Sequence, residues 1–286
     1  MNGMMSLARR NVICYFRNAG AVLGSLMAVI IVLLLFLLFL REMLLTQSEA
    51  PVEGMGNLID SWVMAGILGI IPVTTAAGCL QTMIEDRVNG RERDLLVTPM
   101  KPRTMAWGYV LSTSMVTVIM SVLAFVISLI YLAATGCPMG TEDILMSALL
   151  IVPSSLSGAI IVYAIVSFIK STTMFSVFNV LVGILIGFLA GVYMPMTRLG
   201  TGVQFVGTLL PATQMASLFR LQLCDGVISD IFEGAPQDVV DGFMVDQGIT
   251  LQLGDFTFTP EMSMLYVVGV TALFFIIAVI GIRKRA

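Results

Sequence analysis

No histidine occurs among the 286 residues. That removes His-based triads, imidazole metal ligands and the usual general base in one step. Charge is scarce as well, at 12% of the chain, where an ordinary soluble domain carries about 25%. Cysteine is limited to Cys14, Cys79, Cys137 and Cys224, and none of them forms a Cys-x-x-Cys pair, so the spacing offers no zinc or redox site. The patterns Gly-x-x-x-x-Gly-Lys-Ser/Thr, Gly-x-Ser-x-Gly and His-Glu-x-x-His are all missing. No catalytic residue and no metal site is therefore expected in this chain. Nucleic acid is not among its expected partners.

Apolar residues fill the space that charge leaves. They make up 58% of the chain, and the mean hydropathy is +0.98, the composition of a polytopic membrane protein. The expected fold class is all-α integral membrane with six transmembrane helices, at 21–40, 61–84, 105–135, 144–169, 173–194 and 262–282. Twenty residues at 1.5 Å each cover a hydrocarbon core of about 30 Å. Residues 1–20, with Arg9, Arg10 and Arg17 among Val12, Ile13, Tyr15 and Phe16, read as an N-terminal interfacial helix. Pro72 and several glycines predict a kink in the second span. The segment 195–260 begins with an apolar stretch broken by Pro211, Gly200, Gly202 and Gly207, which fits a re-entrant pair of short helices before the sixth span. An acidic segment from Asp225 to Glu261 follows, without Lys or Arg.

Orientation follows from counting charge. With both termini inside, 12 of the 15 basic residues fall in inner segments, and only Arg41, Arg198 and Arg220 fall outside. The acidic residues split four inside to 14 outside. This is the positive-inside pattern, and it predicts cytoplasmic N- and C-termini in a multi-pass inner (plasma) membrane protein. Cys137 and Cys224 then lie outside, where they can either pair or remain small apolar residues.

One stretch stands apart. Residues 85–104 hold nine of the 33 charged residues, with apolar sequence on both sides. A charge at mid-bilayer costs roughly 2.5–3.5 kcal/mol, so this island projects into water between the second and third spans. Gly90 can end a helix, and Pro99 and Pro102 stop the next one, leaving about two turns between them. The island is therefore either a short lever held at the membrane face or an ordinary solvated loop.

Glu85-Asp86-Arg87, Gly90 and Asp94-Leu95-Leu96-Val97-Thr98-Pro99 resemble the coupling-helix segment of type-2 ATP-binding-cassette (ABC) exporter permeases, of the bacterial multidrug or antibiotic-export type. Arg91-Glu92 stands where members of that family commonly carry Thr-Leu. The resemblance implies a cytoplasmic coupling helix. Arg87, Arg91, Glu92, Arg93 and Asp94 would make polar contacts with an ATPase subunit. Leu95, Leu96 and Val97 would enter an apolar groove, and Thr98-Pro99 would end the helix. It also implies two ABC ATPase subunits that hold ATP and Mg, a second copy or close paralogue of the permease, and an apolar or amphipathic substrate moved outward. Cofactors in this chain itself are not expected.

Few polar groups lie within the spans, and none of the expected third to sixth spans carries a confident mid-span charge, which argues against an ion-coupled carrier. In the fifth span Met174, Phe175, Phe178, Leu181, Val182 and Leu185 recur at helical spacing. They are either packing and lipid-facing surface or a pliable wall for a greasy substrate. The resemblance puts them and Asn179 near the substrate path. A stand-alone channel or membrane-anchored scaffold without an ATPase is the alternative reading.

Overall fold

The computed structural model describes residues 2–36, 38, 41, 54–92, 101–254 and 256–283. Helix α1 spans Asn2–Arg17, α2 Ala19–Leu35, α3 Met55–Val88, α4 Pro102–Ala134, α5 Thr141–Ser167 and α6 Thr172–Leu189. Then come α7 Thr201–Thr208, α8 Pro211–Leu223, α9 Asp225–Ile231 and α10 Gln237–Asp246. A two-stranded antiparallel hairpin, β1 Gln252–Leu253 and β2 Phe256–Thr257, leads into α11 Pro260–Arg283. Among the described residues five helices, α3, α4, α5, α6 and α11, are long and apolar enough to cross a membrane. The α2 helix is uncharged over its 17 residues, and the remainder of the span expected there lies mostly outside the described residues.

The ends of these helices follow from local chemistry. Pro102 opens α4 at a position where a missing N–H costs nothing. Asp143 accepts a hydrogen bond from the Gly140 amide at 3.0 Å and fixes the start of α5. Ser171 accepts from the Met174 amide at 3.2 Å at the start of α6. That helix stops at Leu189, short of the expected 194, because Gly191 turns left-handed at φ 63° and the Val192 amide donates to Gly187 O.

Helix α3 is the central mast. Its 34 residues make it about 51 Å long, well beyond a hydrocarbon core of about 30 Å. From Leu58 to Leu80 every residue except Val73 is buried. Helices α2, α4, α5, α6 and α8 surround it, α1 lies against α3 and α4, and α11 packs on α5 and α8. By contrast α6 and α11 present apolar side chains outward, such as Leu181, Leu185, Leu265 and Ile276. Such faces suit acyl chains or a partner helix rather than water.

Close approach depends on missing side chains. A Cβ at Gly69 of α3 would stand 2.6 Å from Ala216 Cβ and 2.7 Å from its backbone N. Backbone cannot step aside, so Gly69→Ala must part α3 from α8. The expected loss is about 1–3 kcal/mol of stability in detergent. Gly269→Ala in α11 meets nothing within 4 Å and is expected to be neutral, or stabilising by up to about 1 kcal/mol. Equal unfolding midpoints for the two variants would refute this account of the α3–α8 contact.

Three features depart from the sequence reading. Residues 55–60, expected in a loop, already belong to α3; Asp60 is fully buried there and pairs with Arg41 Nε at 3.1 Å. The acidic segment contains α9, α10 and the β hairpin. Arg220, counted among the basic residues outside, sits on α8 with no exposed surface.

Candidate functional site

The C-terminal end of α3 gathers the groups that matter. Asp86, in the last turn of that helix, is fully buried. Its Oδ1 accepts from Arg10 Nη2 of α1 at 2.7 Å, and its Oδ2 accepts from Tyr109 Oη of α4 at 2.8 Å. Arg91 Nη1 stands 3.8 Å from the same carboxylate. A buried carboxylate is tolerable only with partners of this kind. The hydrogen bond to Asp86 in turn raises the Arg10 guanidinium above its ordinary value. A further tie runs from Asn11 Nδ2 on α1 to Ser112 Oγ on α4, at 3.3 Å. Gly108 lets α1 approach, since a Cβ there would meet Leu7 at 2.8 Å.

Arg87 faces the other way round the helix. Its Nε donates to Glu92 Oε2 at 3.2 Å, and its Nη1 donates to the carbonyls of Ser167 and Ile169. Those carbonyls close α5, where a helix end carries partial negative charge. Asp86 and Arg87 therefore bind α1, α4 and α5 to the foot of α3. Gly90, at φ 78°, turns the chain off the helix, and Glu92 reaches back to Arg87.

Of the residues expected to contact an ATPase, the structure describes Arg87, Arg91 and Glu92. The side chain of Arg91 is 60% exposed, whereas that of Arg87 is 16% exposed and turned inward to α5. Arg93, Asp94, Leu95, Leu96, Val97, Thr98 and Pro99 lie outside the described residues. Asp86 with Arg10 and Tyr109 was not singled out from the sequence. The sequence reading has Asp86 only within Glu85-Asp86-Arg87, and its partners stand 76 residues before it and 23 after it, where no local pattern connects them.

Two cavities flank α6. One, of about 290 Å³, lies between α3, α5, α6 and the start of α8, and is walled by Phe178, Leu181, Val182, Leu185, Gly158 and Met215 among others. Its lining is almost wholly apolar. The other, of about 390 Å³, lies between α2, α3 and α6 and adds polar groups, Thr74, Asn179 and Tyr193, to Met27, Ile31 and Val182. Val182 borders both. Among the expected path residues, Phe178, Asn179, Leu181, Val182 and Leu185 line these cavities. Met174 lines neither and is exposed, and Phe175 is buried in the inner core beside Leu7 and Met105.

Cys137 and Cys224 are both free and buried, and Cys137 Sγ stands 3.0 Å from Ser61 Oγ. No cluster of three or more His, Cys, Asp or Glu suited to a metal occurs among the described residues. Among the described residues the arrangement shows no constellation of a nucleophile with a base. It offers instead a braced foot on a long central helix, with apolar cavities further along it.

No curated protein matches the chain. The family model described as "ABC-2 family transporter protein" matches residues 44–280, which takes in α3 to almost the end of α11. With most of its length matched and five apolar helices able to cross a membrane, the chain belongs to the ABC-2 transporter family, as a multi-pass membrane subunit of an ABC transporter.

Proposed function

We propose that the chain is the half-size permease of an ATP-driven exporter in the plasma membrane, with both termini in the cytoplasm. Two copies, or one copy and a close paralogue, work with two ATPase subunits that bind ATP and Mg. In this reading α2 is the first of six crossings and α7–α8 form a re-entrant hairpin. The segment 91–99 docks on the ATPase. The observation that carries the reading is the bracing of Asp86 and Arg87. A push delivered just beyond Val88 meets a helix foot tied to α1, α4 and α5, so it displaces the bundle rather than bending one helix.

The substrate is apolar or amphipathic: a drug, a peptide antibiotic or a lipid. The cavities beside α6 support this, one apolar and one with a hydroxyl, an amide and a phenol among aliphatic side chains. Val182 touches both, so Val182→Trp should fill space on either side. Export is expected to fall about tenfold, the effect of some 1.4 kcal/mol, while ATP turnover by the assembled complex persists. Unchanged export in vesicles would remove the cavities from the path. The reading as a whole is tested by extraction from native membranes: a P-loop ATPase should co-purify in equal amount. A chain that purifies alone after mild extraction would favour a channel or scaffold instead.

A further inference from the structure

Arg220 is the largest fully buried side chain among the described residues. Its Nε reaches Trp62 O at 3.5 Å, Nη1 donates to Gly248 O at 3.2 Å, and Nη2 donates to Gly191 O at 2.8 Å and Ala190 O at 3.4 Å. Its Cζ stands 4.3 Å from the centre of the Trp62 ring. Among the described residues no carboxylate lies within ion-pair distance of it. Gly66 makes the room, since a Cβ there would stand 2.9 Å from Nη2.

Those acceptors belong to three separate segments: α3, the end of α6, and the turn after α10. Neighbouring bonds join the same segments. Thr213 and Ser217, on the face of α8 that carries Arg220, donate to Leu189 O at 3.0 Å and Ile249 O at 2.5 Å, and Trp62 Nε1 donates to Gln247 O at 2.8 Å. Trp62 lies 24 residues before Asp86, about 36 Å away along the same helix. One continuous helix therefore joins the braced foot of α3 to the Arg220 junction.

A static joint needs no charge here. A guanidinium without a counter-ion is costly to bury, and apolar side chains of similar size commonly hold such a site as well or better. Carbonyls and a π face hold the cation while the junction is dry, and water can replace every one of them once it opens. The junction thus has two satisfied states, closed and hydrated.

We infer that Arg220 is a positioning residue for transport: a releasable latch that holds α3, the end of α6 and the 247–249 turn together when the outer side is closed, and lets them part when α3 is displaced. The inference rests on the exporter reading for its link to ATP, whereas the latch itself does not. Cys224, one turn beyond Arg220 and fully buried, is a built-in reporter.

The test uses the complete transporter with Cys14→Ser, Cys79→Ala and Cys137→Ser, in right-side-out vesicles with or without internal Mg-ATP. Labelling of Cys224 by an external, membrane-impermeant maleimide is measured. Without ATP the thiol should be protected, and turnover should raise its labelling rate about tenfold. Arg220→Met should label at the raised rate without ATP, and Arg220→Lys should recover part of the protection. Gly66→Ala, which displaces the guanidinium and keeps its charge, should mimic Arg220→Met and serves if the latter fails to assemble. If these variants label like the native protein, the latch is wrong, even where the native complex exports with ATP. If they label fast while ATP changes nothing in the native complex, the latch stands and the exporter reading falls.

Discussion

Asp86→Ala is expected to cost about 3 kcal/mol of stability and to uncouple ATP turnover from transport. Removing one partner of a buried ion pair costs roughly 3–5 kcal/mol. The low end applies because the Arg10 side chain is 35% exposed and recovers water when released. The Tyr109 hydroxyl has no such recourse, since that residue is only 4% exposed. Arg10→Met should be at least as damaging, because it leaves a fully buried carboxylate with Tyr109 and the more distant Arg91. Asp86→Leu combined with Arg10→Met should cost less than the sum of the two single changes, as expected for residues that act through one contact. Unfolding in a detergent titration gives these differences directly. Single variants within about 0.5 kcal/mol of the native protein would mean that the foot of α3 is not braced as described.

The functional consequence can be separated from the structural one. Release of Arg10 frees α1 from α3, while Arg87 still holds the end of α5. A variant complex that assembles should hydrolyse ATP but transfer less of the stroke to the bundle. Because the bond to Asp86 raises Arg10 further above its ordinary value, the cation stays charged at any pH at which membranes are handled. The contribution of Arg10 to this pair is therefore expected to be flat with pH rather than to titrate near neutrality.

What the sequence reveals and hides follows from which constraint is one-dimensional. Lipid demands a continuous apolar run, so α4, α5 and α11 can be read from the residues alone. The acidic segment carries no such run. Its helices α9 and α10 are short, and Val239 of α10 is exposed, so hydropathy gives no mark of them. Charge counting supplies a side of the membrane but no depth, and so Arg220 was counted outside, within the expected re-entrant stretch, with no sign of its burial. A lone cation within 199–223, an otherwise uncharged stretch, was the available clue to a buried role. Arg41 and Asp60 were likewise placed in one loop as separate charges, and the pairing between them depends on α3 beginning at Met55. Arg87 turned inward for a reason no local pattern carries: the end of α5, some 80 residues later, needs a donor.

Leu95→Asp with Leu96→Asp is expected to abolish export and the ATP turnover coupled to it, while the protein still inserts and assembles as a folded membrane domain. The segment begins at the left-handed Gly90, directly after the foot that Asp86 and Arg87 tie to three helices. In the sequence, Leu95 and Leu96 are followed by Val97 and Pro99 and preceded by Arg91, Glu92, Arg93 and Asp94, a short apolar run beside a charged one. Buried in an ATPase groove, each leucine contributes roughly 1.5–3 kcal/mol, and a carboxylate put in its place must be desolvated without a partner. Together these exceed the roughly 4 kcal/mol that separates a working association from a thousandfold weaker one. The ties that hold the foot of α3 run through Asp86 and Arg87, which the substitutions leave in place, and thermal stability in detergent is expected to match the native protein. ATP turnover and export are then measured in proteoliposomes that also contain the ATPase. Native rates of both in the double variant would disconnect this segment from the motor, and the braced foot of α3 would need another source of force.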